Sequence, residues 1–249
     1  MAILETKNLT KRFGGFTAID EVNYKLEPGE IASIIGPNGA GKTTFFNLIT
    51  GEFPPTSGSV WLQGDEISAL DPNERVHRGM TRVFQISNLF PSLTTFEHIR
   101  LGIQATQGEG TSSWLQPAAA NAEIREATYD LLDELSILEE AETKADSLPH
   151  GDKRKLEIGM ALAADPDVLL MDEPAGGLPD KEVYEIMEFI REIASDHTII
   201  LVEHKMNVVM GLSDRVSVLH NGQLIADGTV DEVRSDDRVQ SVYLGEEHA

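Results

Sequence analysis

Residues 36–43 read Gly-Pro-Asn-Gly-Ala-Gly-Lys-Thr, which fits G-x-x-x-x-G-K-[ST], and they lie between the apolar run Ile31 to Ile35 and the segment KTTFFNLIT that starts at Lys42. No other stretch restricts the fold as strongly. A strand has to end, the backbone has to turn through glycines and a helix has to begin, which is the strand, phosphate loop, helix unit of α/β nucleotide-binding folds. Glycines let successive N–H groups point inward at a phosphate, and the helix N-terminus adds its dipole. The expected cradle is Gly36, Pro37, Asn38, Gly39, Ala40, Gly41, Lys42, Thr43 and Thr44, with Lys42 on the β and γ oxygens and the Thr43 hydroxyl on Mg²⁺.

A phosphate loop needs a second, acidic half. Val168 to Met171 is a continuous apolar run that ends in Asp172-Glu173, which lies 172 − 42 = 130 residues beyond Lys42. An Asp at the carboxyl end of a parallel strand can hold Mg²⁺ through water, and an adjacent Glu can take the proton of an attacking water.

Around these two segments the pattern alternates. Short runs near Ile3 to Leu9, Val22 to Leu26 and Ile31 to Ile35 read as strands, with Pro28-Gly29 between the second and third. A strand pair is expected around Ser59 to Leu62 with Gln63-Gly64 as its turn, and another strand at Thr81 to Gln85. Thr94-x-x-Glu97 has capping-box spacing and opens a helix through Leu101; residues 106–119 read as a loop; Asn121 to Leu138 reads as a helix with Ile124, Thr128, Leu131 and Leu135 on one face. Val183, Ile186, Met187, Ile190 and Ile193 form a second helical stripe, Thr198 to Val202 another buried strand, and Val216 to Leu219 with Leu224 to Ala226 a pair turning at Asn221-Gly222, ahead of terminal helix turns. Strands that are apolar throughout and alternate with helices indicate a parallel sheet covered on both faces. The expected architecture is α/β: a parallel-sheet phosphate-loop core at about 1–87 and 161–249 with an antiparallel β part, and a helical part at about 88–160, all in one domain of 249 residues.

Charge and composition exclude several classes. The chain has 20 Lys+Arg, 42 Asp+Glu and no Cys, for a formal charge of −22. Sequence-independent binding to nucleic acid, which depends on cations neutralising phosphates, is not expected, nor is direct attachment to anionic lipid. Without cysteine there is neither a disulfide nor a thiolate metal site. The apolar runs are far shorter than the ~20 residues of a membrane helix, and the opening MAILETKNLTKRF lacks a secretory apolar region, so the cytoplasm is the expected location. Nine Lys against eleven Arg, with acids spread along the chain, reads as a surface suited to high salt.

Five motifs in order then carry a resemblance over nearly the whole chain: the loop at 36–43, Gln85 in TRVFQ, LPHGD at 148–152, DVLLMDEP at 167–174 and His204 in LVEHKM. Together they resemble the ATP-binding cassette family, whose signature sequence ahead of the acidic strand is missing from generic phosphate-loop kinases and GTPases. The resemblance implies ATP and Mg²⁺ as ligands and gives Gln85 the family's Q-loop position, which contacts metal and attacking water and links the helical insert to a membrane partner. It makes His204 the switch histidine at the γ-phosphate, Glu173 the catalytic base, Asp172 the metal-site carboxylate and Gly151 a backbone donor to the facing nucleotide. Phe13 matches the aromatic that stacks on adenine, with Phe16 as the competing position.

Two positions depart from the family pattern. Pro149 stands where the signature usually has Ser, so a hydroxyl offered to the partner's γ-phosphate is missing; Pro179 stands where Asp or Asn is usual. Both serve the nucleotide across a dimer interface, which implies pairing with a non-identical ATPase subunit. FGGFTAIDEVNY, HGDKRKLEIGMALAADP, LVEHKMNVVMGLSDRVSVL and the terminal VYLGE resemble the ATPase subunits of importers for branched-chain amino acids and related amides. The implied partners are integral permease subunits and, indirectly, a substrate-binding protein, with the chain peripheral on the cytoplasmic face of the membrane. Urea, short-amide and lipopolysaccharide transporters are similar alternatives. A non-transport cassette in repair or chromatin would carry a long coiled-coil insert, and one in translation two cassettes; neither is present.

Overall fold

The structure is a computed structural model and describes residues 1–83, 89–106 and 118–246. The chain opens with β1 (Leu4–Phe13) and β2 (Phe16–Leu26), an antiparallel hairpin turning at Gly14-Gly15. β3 (Ile31–Ile35) leaves that sheet, and the phosphate loop leads into α1 (Lys42–Thr50). β4 (Ser57–Leu62) and the two-residue β5 (Asp65–Glu66) return to the hairpin, giving an antiparallel sheet of order β2-β1-β4-β5. The expected turn at Gln63-Gly64 joins β4 to β5, and both residues have positive φ.

α2 (Pro72–Val76), capped reciprocally by Asp71 and Glu74, precedes β6 (Met80–Val83). The strand expected at Thr81 to Gln85 therefore starts one residue earlier, and its last two residues, including Gln85, lie outside the described residues. α3 (Thr95–Thr106) opens on the expected capping box: Thr94 N donates to Glu97 Oε2 at 2.8 Å, and Glu97 N to Thr94 Oγ1 at 3.1 Å. It runs past Leu101. Most of the expected loop at 106–119 falls outside the described residues, but α4 (Ala118–Glu134) begins inside its last two positions. α4 also ends before Leu138, because Ser136 takes a left-handed φ of 54° and Leu138–Glu140 forms a 3-10 turn instead.

α5 (His150–Leu162) crosses the expected boundary at 160 and leads to β7 (Val168–Asp172). α6 (Asp180–Ile193), β8 (Thr198–Val202), α7 (Met206–Leu212), β9 (Arg215–His220), β10 (Gln223–Gly228), α8 (Val230–Ser235) and α9 (Asp237–Glu246) complete the order. The second sheet runs β10-β9-β3-β8-β7-β6, parallel throughout except for β10 at one edge.

Every residue of β3, β7 and β8 is buried, as two covered faces require. Their alternate residues feed two separate cores. Ile31, Leu169, Met171, Ile199 and Leu201 join the helices α3 to α6, whereas Ala32, Ile34, Leu170, Ile200 and Val202 join α1 and the antiparallel sheet. The α6 stripe Val183, Ile186, Met187, Ile190 and Ile193 is buried against the first of these, each side chain contributing about 1.5–3 kcal/mol. A third, smaller core lies under α7, α8 and α9. The parallel strands all end at one rim of the sheet, and there the loops after β3, β7 and β8 meet.

Candidate nucleotide site

The phosphate loop keeps its shape because two of its glycines cannot be replaced. Gly36 has φ 151°, and a Cβ there would lie 2.1 Å from the Leu219 carbonyl oxygen; at Gly41, φ 105°, it would lie 2.7 Å from that of Ala18. Gly41 is also the N-cap of α1 and offers no side-chain cap, so the first N–H groups of the helix are left for an external acceptor. Lys42 is 6% exposed. Its Nζ folds back over the loop, donating to Gly36 O at 2.6 Å and Pro37 O at 2.9 Å. The amine expected at phosphate oxygens is thus held at the mouth of the cradle by the loop's own carbonyls.

A cleft of about 430 Å³ opens in front of this loop. It is lined by Asn38, Gly39, Ala40, Gly41, Lys42, Thr43 and Thr44 of the loop and first helical turn, by Asp172, Glu173 and His204, and by Phe16. Eleven of the residues singled out in the sequence, Phe16 among them, therefore face one space. Gly36 and Pro37 contribute carbonyls to Lys42 rather than surface to the cleft. Phe13 is not among the lining residues; its ring packs edge-on against Phe53 at 5.6 Å, with Lys11 Nζ 5.3 Å from its centroid. Gly151 lies apart, in the first turn of α5, where an added Cβ would meet Glu182 Oε2 of α6 at 3.5 Å. Gln85 is outside the described residues.

The acidic wall is tightly organised. Asp172, 7% exposed, ends β7 and pairs with Arg82 Nη2 at 3.0 Å. Glu173 follows in a left-handed conformation, φ 50°, so its side chain leaves the strand direction and turns into the cleft. Its Oε1 lies 3.1 Å from His204 Nε2. The sequence reading did not single out three side chains that build this wall. Glu203, 2% exposed, accepts from Ala175 N at 3.0 Å and His204 N at 3.0 Å, tying the loop after β8 to the loop after β7. Arg154 of α5 donates to the carbonyls of Asp172, Glu173 and Pro174 at 3.2, 2.9 and 2.9 Å. Arg82 is the third. An acid placed between an apolar strand and a candidate histidine was a usable signal for Glu203; Arg82 and Arg154 show none, since their partners are distant in sequence.

The donor set suits a magnesium nucleotide. Among the described residues no group of three or more His, Asp or Glu could cage an ion by itself. The exposed Thr43 hydroxyl and the Asp172 carboxylate instead face the same cleft, the sparse arrangement that Mg²⁺ accepts when phosphates and water complete its octahedron.

Comparison with known proteins agrees with this geometry. Residues 19–176 match the ABC transporter family, and residues 223–249 match the family described as branched-chain amino acid ATP-binding cassette transporter. The high-affinity branched-chain amino acid transport ATP-binding protein LivG of Escherichia coli K12 is 39% identical over 98% of both chains. BraF of Pseudomonas aeruginosa, described in the same words, is 38% identical over 98% of both. Among solved structures, the ADP conformation of MJ1267, an ATP-binding cassette of an ABC transporter, superimposes with a TM-score of 0.87 at 32% identity, covering 98% of this chain and 99% of that one. The dimeric post-hydrolysis state of the cassette MJ0796, bound to ADP and Pi, gives 0.74 at 28% identity over 91% and 98%. With the family match covering well over half of its length and relatives aligned nearly end to end, the chain belongs to the ABC transporter family, as one of its ATP-binding cassettes.

Proposed function

We propose that this cassette hydrolyses ATP to power an importer of branched-chain amino acids, paired with a second, non-identical ATPase subunit beneath integral permease subunits. The observation that carries the proposal is the single cleft holding Asn38 to Thr44, Asp172, Glu173 and His204 at the carboxyl rim of the parallel sheet, where α/β sheets place their ligands. The cargo follows from the near-full-length likeness to LivG and BraF.

In this reading the uncapped start of α1 and the loop N–H groups hold the triphosphate, and Lys42 exchanges loop carbonyls for phosphate oxygens. Thr43 and Asp172 would hold a magnesium ion, which would neutralise phosphate charge there. Glu173 takes the proton from water, and His204, 3.1 Å from its carboxylate, orients it. Phe16, which lines the cleft, is better placed for the adenine base than Phe13, which does not. Gln85 keeps the role that its motif implies. The helices α3, α4 and α5 form the helical part that faces the permease, a substrate-binding protein delivers the cargo, and the chain sits on the cytoplasmic face of the membrane, with no helix among the described residues long and apolar enough to cross it.

The geometry at 149–152 supports pairing with a different subunit. Pro149 is the N-cap of α5 and contributes no side-chain hydrogen bond. Gly151 lies beside Glu182, and Asp152 of the same turn has its carboxyl raised by burial, against the opposing pull of the Lys155 cation and with Glu140, Glu185 and Glu182 adding to the rise. A phosphate approaching this turn meets carboxylates where the usual signature offers a hydroxyl. The site's own phosphate loop carries no such defect.

The test is Glu173→Gln. Turnover should fall about 10²–10⁴-fold, the contribution of a positioned general base, while ATP binding survives; undiminished turnover would remove Glu173 from the reaction. Purification of the tagged chain from membranes should bring down integral permease subunits whose ATP-dependent uptake is of leucine, isoleucine or valine, and uptake of urea instead would refute the cargo.

A further inference from the structure

Arg82 is the third residue of β6, the outer strand of the parallel sheet, and its side chain is only 11% exposed. Nη1 donates to Asn47 Oδ1 at 2.6 Å, and Nη2 donates to Asp172 Oδ2 at 3.0 Å. The guanidinium carbon lies 5.8 Å from the centroid of Phe46. Asn47 and Phe46 belong to α1, which begins at Lys42; Asp172 ends β7. One planar cation thus fastens the helix behind the phosphate loop to the carboxylate on the facing wall. A fork of fixed geometry suits this: two acceptors from different elements are set at one spacing, which an ammonium on a flexible stem would not enforce.

We infer that Arg82 is the positioning residue for the metal half of the nucleotide site: it holds the Asp172 carboxylate in one orientation toward the cleft, so the part of nucleotide affinity that depends on magnesium passes through it. The inference rests on Asp172 being the metal-site carboxylate. Asp172 is almost fully buried, and a buried carboxylate that loses the guanidinium holding it turns away toward water. That turn would withdraw it from the metal position. Arg82 itself need touch neither nucleotide nor metal. Partners that orient a ligand from behind commonly matter 10–100-fold for metal affinity.

The experiment measures, by titration calorimetry on the full chain, the affinity for the non-hydrolysable β,γ-imido analogue of ATP with magnesium and with excess chelator. The wild type should bind more tightly with magnesium. Arg82→Gln should lower that ratio about 10–100-fold and leave the metal-free affinity near its wild-type value. Asp172→Asn should lower it similarly, and the double variant should be no worse than Asp172→Asn alone, because both changes remove one device. An Arg82→Gln protein with the wild-type ratio, or with both affinities reduced equally, overturns the inference. Should Arg82→Gln not fold, Arg82→Lys carries the measurement: a reduced ratio supports the assignment and an unchanged one refutes it. If Asp172→Asn keeps the ratio, the reading of Asp172 fails and takes the inference with it; if Asp172→Asn loses the ratio while Arg82→Gln keeps it, only the role of Arg82 falls.

Discussion

Phe13 and Phe16 stand at the two ends of the β1–β2 turn and are 48% and 65% exposed, so exposure alone does not separate them. Their neighbours do. Phe13 already has Phe53 and Lys11 against its ring, whereas Phe16 lines the cleft. Phe16→Ala should therefore weaken ATP binding about tenfold, taking roughly 1–1.5 kcal/mol for a lost stacking contact, and Phe13→Ala by less; equal losses from the two would contradict this, and fluorescence titration of the two variants decides. Single residues were legible where their chemistry depends on local spacing: Gly36, Gly41, Lys42 and Thr43 follow from the loop itself, Asp172 and Glu173 from the strand that they end. Choosing between two phenylalanines three residues apart was not, since the choice depends on Phe53, which a separate turn brings into place.

α5 and α6 both begin after a proline, Pro149 and Pro179, and neither has a side-chain cap. Proline suits a helix start, because the N–H that it lacks would be unpaired there, but it gives up the hydroxyl or carboxylate that a usual cap supplies. Pro149→Ser should raise the ATPase rate of this chain acting alone, several-fold or more, by restoring a donor toward a facing γ-phosphate; an unchanged rate would mean that Pro149 is not what limits pairing between two copies. Helices with a strong signal in sequence came out at the right place: the Thr94/Glu97 capping box fixes the start of α3, and the stripe of α6 fixes its buried face. α4 shows the limit. On its expected face Ile124 and Thr128 are buried and Leu131 is half-buried, but it starts earlier and stops sooner than its periodicity suggests, leaving Leu135 just past its end. The stop comes where Ser136 turns left-handed so that Ile137 can reach the core, and packing imposes that rather than the local sequence.

Across the whole molecule the formal charge is −22, 42 Asp+Glu against 20 Lys+Arg, so the acids outnumber the cations that could pair with them. If the surface is suited to high salt, raising KCl from about 0.1 M to about 1 M shortens the screening length from roughly 10 Å to roughly 3 Å and should stabilise the fold. A gain of about 1 kcal/mol would lift the melting midpoint by roughly 2–4 °C for a chain of this size. Scanning calorimetry across that range measures it, and full stability in dilute buffer would dismiss the adaptation. The sequence by itself determined the α/β class, the phosphate loop and the acidic strand end, because each is written in contiguous residues whose spacing matches the period of the element that carries them. Only the tertiary structure decided how the two halves of the site are joined. Arg82 to Asn47 and Asp172, Arg154 to three carbonyls, and Glu203 to the loop after β7 are bonds between residues tens of positions apart. Such bonds have no period, and they exist because parallel strands from remote parts of the chain end at one rim.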